Sequence, residues 1–138
     1  MKLSNELSAR YIEGLAQTAP FRFVDKVLYL DETQVVTELY GSDNPYKFAD
    51  AAQVDTYVML EYAAQSSGLI LRDKKRGQRG VIASFQQVER KSLCQVHFPI
   101  RLESRLVEER RPVYSFEFGV FAGKELMVQG TISIFIRG

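Results

Sequence analysis

The apolar positions near the start of the chain recur at helical spacing. They predict a first helix that Ser4 or Asn5 caps and that Pro20 closes. Such a stripe is typical of a helix that packs one face against a core. The stripe consists of Leu7, Tyr11, Ile12 and Leu15.

Two strands are predicted next, because residues 21–30 and 35–40 are rich in β-branched and aromatic side chains. Asp31, Glu32 and Thr33, which lie between the two segments, are typical of a turn. Residues 41–54 begin with Gly, Ser, Asp, Asn and Pro, so they are predicted to form a loop.

A second, longer helix is predicted from a cap at Asp55 or Thr56 to about Leu71. Its residues are apolar on nearly every side, which is typical of a helix that is buried all round. Basic residues and Gly77 follow it, where the helix dipole favours positive charge and where a glycine ends a helix.

Antiparallel strands are predicted for the rest of the chain, at residues 81–88, at 95–107 with a bend at Pro99, at 113–121 and at 126–136. Residues 122–124 are predicted to form the last turn. The alternation places Tyr114, Phe116, Phe118 and Val120 on one face, and Leu126, Val128, Ile132, Ile134 and Ile136 on one face with Gly130 between them. Two strands, a helix and then several strands indicate an α+β domain with one sheet packed on one helix.

The composition fits one globular domain spanning residues 1–138, with a net charge of +1, 46% hydrophobic residues and 25% charged residues. The single cysteine, Cys94, excludes an internal disulfide, and the near-neutral charge gives no argument for nucleic-acid binding. No apolar run approaches the roughly 20 residues of a membrane span, and residues 1–14 lack the apolar stretch of a signal peptide. We therefore predict a cytoplasmic protein without nucleic-acid or membrane partners.

Glu61 is the one charged residue of the long predicted helix before Arg72. Burying a carboxylate is costly unless the group has a partner. Two interpretations are open. Either Glu61 pairs with an arginine or reaches solvent through a gap, or it is a functional carboxylate. Gln65 lies one turn further along and shares its face.

Two blocks of the sequence resemble one enzyme family. Residues 20–27, Pro-Phe-Arg-Phe-Val-Asp-Lys-Val, are similar to the opening strand of bacterial 3-hydroxyacyl-(acyl-carrier-protein) dehydratases. Residues 60–65, Leu-Glu-Tyr-Ala-Ala-Gln, are similar to the central helix of that family, and the spacing between the blocks also fits. Residues 123–136 resemble the family's last hairpin, so the resemblance covers most of the chain from Pro20 onward.

The resemblance implies the hotdog fold, in which a curved antiparallel sheet of about five or six strands wraps a long central helix. It also implies a dimer in which two sheets join edge to edge and each active site lies at the interface. In this family, a histidine from the loop before the helix and a carboxylate from the partner's central helix form the site. The matching carboxylate in this chain is Glu61, the candidate acid.

The chain departs from the family at the catalytic histidine. Where the family has Gly-His-Phe-Pro, residues 46–49 read Tyr-Lys-Phe-Ala. Lys47 therefore occupies the histidine position, while Phe48 matches the family. A lysine can act as the base if burial lowers its pKa from about 10.4 toward neutrality. The other candidate bases are Asp50, Asp55, which is also a candidate helix cap, and the strand residue His97.

The resemblance also suggests where an acyl thioester would bind. Backbone N–H groups around Thr56 and Tyr57, at the helix start, could polarise the thioester carbonyl. The candidate substrate-binding residues are Phe48, Thr56, Tyr57 and Gln65. The basic residues after the helix form either a solvated helix end or a docking patch for acidic acyl carrier protein. They are Arg72, Lys74, Lys75, Arg76 and Arg79.

Three functions are compatible with the resemblance, and none of them requires a metal or another cofactor. The first is a dehydratase-like lyase subunit of fatty-acid or polyene/polyketide biosynthesis that forms a heterodimer with a histidine-bearing hotdog subunit. The second is an enzyme active alone, as a homodimer, which is either a dehydratase with a replaced base or an acyl thioesterase. The third is a non-catalytic module that binds acyl groups or acyl carrier protein.

Overall fold

The computed structural model describes residues 2–13, 23–40, 56–72, 80–91 and 99–136 of the chain. Within these residues it contains helices α1 (Asn5–Glu13) and α2 (Thr56–Ile70) and strands β1 (Lys26–Leu30), β2 (Gln34–Leu39), β3 (Gly80–Arg90), β4 (Ile100–Arg110), β5 (Val113–Ala122) and β6 (Glu125–Ile136). The strands form one antiparallel sheet in the order β1-β2-β4-β5-β6-β3.

Helix α2 packs on one face of this sheet and contacts β2, β3, β4, β5 and β6. Because its apolar residues extend round the whole helix, α2 can be buried among several strands at once. The core residues of α2 and of the facing strands form one hydrophobic cluster. The predicted α+β arrangement, with one sheet on one long helix, is confirmed.

Short polar contacts define the start of α1 and the turn between β1 and β2. Ser4 Oγ accepts a hydrogen bond from Leu7 N at 3.1 Å, which confirms Ser4 as the helix cap. Asp31 Oδ1 accepts hydrogen bonds from the N–H groups of Thr33 and Gln34, each at 2.8 Å, which confirms the predicted turn. The hydrogen bond from the Tyr29 hydroxyl, together with these backbone bonds, lowers the pKa of Asp31 to about 2.

The first predicted strand begins later than the sequence pattern indicates. Residues 23–25 lie outside β1, although Phe23 and Val24 are buried. The Phe23 N–H donates to the side-chain oxygen of Gln65 at 2.8 Å, so it bonds to the central helix instead of the sheet ladder. The bend predicted at Pro99 lies at the start of a strand and not within it, because β4 begins directly after Pro99. Residues 95–98 of that prediction lie outside the described residues.

The alternation predicted for β5 is confirmed, because all four of its inward-facing residues are buried. The prediction for β6 is wrong at Leu126, which is half-buried, whereas Met127 and Val128 are both buried. The register between β5 and β6 shifts between Val120 and Phe121. This shift moves the start of β6 out of phase with the rest of the strand, so Met127 takes the inward position that the alternation gives to Leu126.

A chain of buried hydroxyl groups joins α2 to the sheet. Thr37 Oγ1 donates to the Tyr62 hydroxyl at 2.9 Å, and that hydroxyl donates to the carbonyl of Ile100 at 3.3 Å. Since the proton of Thr37 is used in this way, Ser66 Oγ donates to Thr37 Oγ1 over 2.8 Å. A second pair, Ser67 and Ser104, lies nearby with its oxygens 2.7 Å apart. Each buried hydroxyl is thereby satisfied, and the helix is held in one position on the strands.

We expect Thr37→Val to lower the free energy of unfolding by about 1–2 kcal/mol, because it removes the middle of this chain and keeps the side-chain volume. Chemical denaturation of the whole chain measures the loss. Thr131→Val makes the same change on β6 at a half-buried threonine, and it is expected to have little effect. Equal losses in the two variants would show that the buried hydroxyl chain adds no stability.

Candidate functional site

Glu61 lies half-buried on α2, among neighbours that are mostly buried. Within the described part of the chain, its carboxylate forms no ion pair or hydrogen bond. The interpretation that Glu61 pairs with a strand arginine therefore finds no support among the described strands. Its half-buried position is compatible with the two other interpretations, a carboxylate that reaches solvent through a gap and a functional carboxylate.

The first turn of α2 lies beside the end of β3. Arg90, the last residue of β3, donates from Nη1 to Thr56 Oγ1 at 2.8 Å. The Nη2 nitrogen of the same guanidinium is buried. Tyr57 is 70% exposed, although it belongs to a helix that is otherwise largely buried. The first N–H groups of a helix have no partner within the helix itself and bond to groups outside it.

Tyr57 and Glu61 are four residues apart on α2 and therefore share one side of the helix. That side is the part of α2 that the described strands cover least, since Tyr57 is exposed and Glu61 is half-buried. Arg90 lies at the same end of the helix. Arg90 could not be identified from the sequence, because a basic residue at the end of a strand carries no signal that it contacts a helix start.

Two residues of the matching sequence blocks accept hydrogen bonds from backbone N–H groups. The Gln65 side chain is 3% exposed and accepts the hydrogen bond of Phe23 N. Asp25 Oδ2 accepts a hydrogen bond from Tyr40 N at 2.8 Å, directly after β2. Gln65 therefore has a structural contact, and its predicted contact with a substrate stays a prediction. Asp25 holds the backbone of Tyr40, the residue that follows β2.

Several predicted site residues lie outside the described residues, so their roles stay predictions. These are the candidate base Lys47, its neighbour Phe48, the alternative bases Asp50, Asp55 and His97, and the docking residues Lys74, Lys75, Arg76 and Arg79.

Arg72 is the member of the predicted docking patch that the structure describes. Its Nη1 donates to the carbonyl of Asp31 at 3.1 Å and to that of Leu69 at 3.4 Å. Its guanidinium carbon also lies 5.7 Å from the centre of the Tyr11 ring. These contacts give Arg72 a structural role at the end of α2, where a cation also complements the helix dipole.

A groove of about 790 Å³ crosses the sheet and does not include Glu61. Its polar lining comes from several strands and includes Gln34, Glu103, Arg105, Glu117 and Gln129. The Arg105 and Glu117 side chains form an ion pair at 2.9 Å within it. The groove is therefore separate from the candidate site at the start of α2.

The described residues lack two further features. They contain no group of three or more His, Cys, Asp or Glu side chains arranged to hold a metal ion. No helix in the described ranges has the length and apolar character needed to cross a membrane.

Comparison with known proteins identifies the fold. No family model and no curated protein matches this sequence. Among solved structures, the chain is similar to the dehydratase heterocomplex ApeI:P from Xenorhabdus doucetiae, with a TM-score of 0.76, 18% identity, and coverage of 95% of this chain and 91% of that chain.

Two other solved structures show the same fold. One is Cj0977, a sigma28-regulated virulence protein from Campylobacter jejuni, with a TM-score of 0.75, 12% identity, and coverage of 97% and 92% of the two chains. The other is a hypothetical thioesterase protein with coenzyme A from Streptococcus pneumoniae, with a TM-score of 0.66, 11% identity, and coverage of 82% and 85%. At these identities the likeness concerns the fold alone, and it confirms the hotdog fold.

Proposed function

We propose that this chain is a hotdog subunit that acts on acyl thioesters and that dehydrates 3-hydroxyacyl groups on acyl carrier protein together with a histidine-bearing hotdog subunit. The observation that carries this proposal is the half-buried carboxylate of Glu61 on the central helix, which has no partner among the described residues. The similarity to the fold of a dehydratase heterocomplex adds support.

The dehydration requires a base and an acid at one site. The base removes a proton from the carbon next to the thioester carbonyl, and Glu61 in its protonated form gives a proton to the hydroxyl group on the following carbon. The carbon–oxygen bond breaks, water leaves and a carbon–carbon double bond forms. The N–H groups at the start of α2 stabilise the negative charge that develops on the thioester oxygen.

The partner subunit supplies the base in this proposal, because Lys47 occupies the family's histidine position in this chain. A lysine in a loop is ordinarily protonated near neutral pH, so it has no free electron pair to take a proton. A mixed pair combines Glu61 of this chain with the histidine of its partner and so contains one complete site. Two copies of this chain together contain no complete site, because neither copy provides the histidine.

The geometry at the start of α2 is compatible with a site shared between subunits. Arg90 lies at the end of the sheet-edge strand β3 and touches Thr56, so this edge and the first turn of α2 are adjacent. A subunit that extends the sheet at β3 would therefore approach Tyr57 and Glu61. The exposure of Tyr57 is consistent with a side chain that such a subunit covers.

We expect this chain alone to leave a 3-hydroxyacyl-(acyl carrier protein) unchanged, and a mixture of this chain with a histidine-bearing hotdog subunit to release the unsaturated product. Mass spectrometry of the carrier protein measures the loss of water. The partner alone is the control, because its own pair can be active. Dehydration by this chain alone would contradict the need for a partner and would direct attention to Lys47, Asp50 and Asp55.

A thioesterase is the second candidate, because a helix carboxylate can activate water for attack on a thioester without a histidine. One of the similar structures is a hypothetical thioesterase with coenzyme A. Release of free thiol from acyl thioesters by this chain alone would favour it over the dehydratase subunit. Binding of acyl carrier protein without any turnover, alone or in the mixture, would instead favour a non-catalytic module.

A further inference from the structure

The two outer strands of the sheet differ in whether the described residues cover their outer edges. Strand β1 lies at one end of the sheet and β3 at the other. An outer strand presents N–H and C=O groups that can pair with another chain, so natural proteins cover or disrupt such edges. Here the chain's own N-terminal segment covers β1.

Three contacts form this cover. Lys2 makes an isolated antiparallel bridge with Tyr29. Leu3 N donates to the carbonyl of Leu28 at 3.2 Å. Ser8, on α1, accepts a hydrogen bond from Val27 N on its side-chain oxygen at 2.7 Å. Consecutive backbone groups of β1 are therefore satisfied by the first residues of the chain and not by another strand.

Ser8 is the residue that best distinguishes this cover from ordinary packing. It is 2% exposed and is the fully buried member of α1, whereas Leu3, Tyr11 and Ile12 are partly buried against the core. A buried position on a helix normally favours an apolar side chain. A serine is suitable at this position because its hydroxyl accepts a hydrogen bond from a strand amide that would otherwise lack an acceptor.

The opposite edge is arranged differently. Strand β3 pairs with β6 along one side, and none of the described strands or helices pairs with its other side. This strand is 11 residues long, which is enough to pair with a strand of another subunit. Its end at Arg90 lies beside the first turn of α2.

We infer that residues 2–8 form an edge cap that restricts this chain to one sheet-to-sheet partner, a second hotdog subunit bound at β3. A sheet with two available edges can add subunits at both ends and grow without limit, whereas a sheet with one available edge closes after a single pairing. The inference rests on the proposed pairing of subunits. It adds that sheet-to-sheet assembly stops at two subunits.

The cap can be tested with the full-length chain by removing its hydrogen bonds. The variant Leu3→Pro/Ser8→Ala removes the donor to Leu28 and the acceptor for Val27. The control Ser115→Ala removes a hydroxyl from the middle of the sheet, where Ser115 lies 3.0 Å from Ser133. Light scattering after gel filtration measures the mass of each protein over a range of concentrations.

We expect the wild type and the control to remain at the mass of two chains, and the double variant to form species of four chains or more in a concentration-dependent way. A double variant that is folded by circular dichroism and keeps the mass of the wild type would overturn the inference. A wild-type mass of one chain would show that two copies of this chain do not pair at β3. The cap would then still be judged by the difference between the variant and the wild type.

Hydrogen exchange of the wild type decides the inference if the double variant does not fold. We expect the Val27 amide to exchange as slowly as amides in the centre of the sheet, because its acceptor on Ser8 is buried. Exchange of Val27 at the rate of an unprotected amide would show that the edge is open, and the inference would be wrong.

Discussion

Replacement of Glu61 by glutamine is expected to slow dehydration by the mixed pair by about 10²- to 10⁴-fold, the range for loss of a general acid. Glutamine keeps the length of the side chain but cannot give a proton to the leaving hydroxyl. Assays of the mixed pair with a 3-hydroxyacyl-(acyl carrier protein) measure the change. Both kcat and kcat/KM should decrease, because Glu61 transfers its proton in the transition state.

Glu117→Gln is the matched control for this experiment. Glu117 lies on β5 in the groove that crosses the sheet, where it forms an ion pair with Arg105, and its side chain is largely exposed. Loss of an exposed ion pair has little effect on stability, so activity should stay near that of the wild type. Wild-type activity in Glu61→Gln would contradict the assignment of Glu61 as the acid.

The stability of Glu61→Gln separates a catalytic role from a structural one. Glu61 has no ion pair or hydrogen bond among the described residues, so glutamine replaces a half-buried carboxyl group without removing a described contact. We expect its melting temperature to equal or exceed that of the wild type, since functional groups are often kept at a cost in stability. A lower melting temperature with a parallel fall in activity would indicate a structural role.

The elements that could be predicted from sequence are those in which a single pattern extends over many residues. The apolar character of α2 on all sides predicts a buried helix, and the strict alternation in β5 predicts which residues face it. The turn at Asp31 is predictable because its carboxylate accepts hydrogen bonds from N–H groups only two and three residues further along the chain. Such features depend on neighbours in sequence, so the chain alone specifies them.

The errors arise where a contact from a distant part of the chain decides the outcome. Phe23 leaves the predicted strand because its N–H bonds to Gln65, which is 42 residues away. Leu126 leaves the predicted inward face because a register shift opposite Val120 changes the phase of β6. A period of two residues in a sequence carries no information about such an irregularity, since one extra residue in β6, Met127, is enough to reverse the phase of the alternation.

The candidate site was predictable only in part, because some of its residues stand out locally in the sequence and others depend on contacts between distant residues. Glu61 stands out in the sequence as a lone carboxylate in an apolar helix, and the structure places it half-buried on α2. The contact of Arg90 with Thr56 joins residues 34 positions apart and depends on where β3 ends. It could not be predicted, because alternation along a strand does not reveal which other element lies at its end.

The second large effect is expected from Gly130→Val, which we predict to lower the free energy of unfolding by about 3 kcal/mol, the upper part of the range for overpacking. A Cβ atom at Gly130 would lie 3.1 Å from the backbone Cα of Val88 and 3.2 Å from Cζ of Phe118. Val88 belongs to the stretch of β3 where the register with β6 shifts, so the backbone of β3 passes directly over this glycine. A valine therefore has to push the two strands apart.

Gly119→Val is the control for this prediction. A Cβ atom at Gly119 would meet the ring of Phe121 at 3.0 Å and Cδ1 of Leu126 at 3.4 Å, which are side-chain atoms that can move aside. We expect a loss of less than about 1 kcal/mol in that variant, measured by chemical denaturation. Because β3 also provides the edge proposed to bind the partner, Gly130→Val should weaken assembly of the mixed pair and lower its dehydration rate, whereas Gly119→Val should change neither. Equal losses of stability in the two variants would show that the backbone of β3 can move away from Gly130 at little cost.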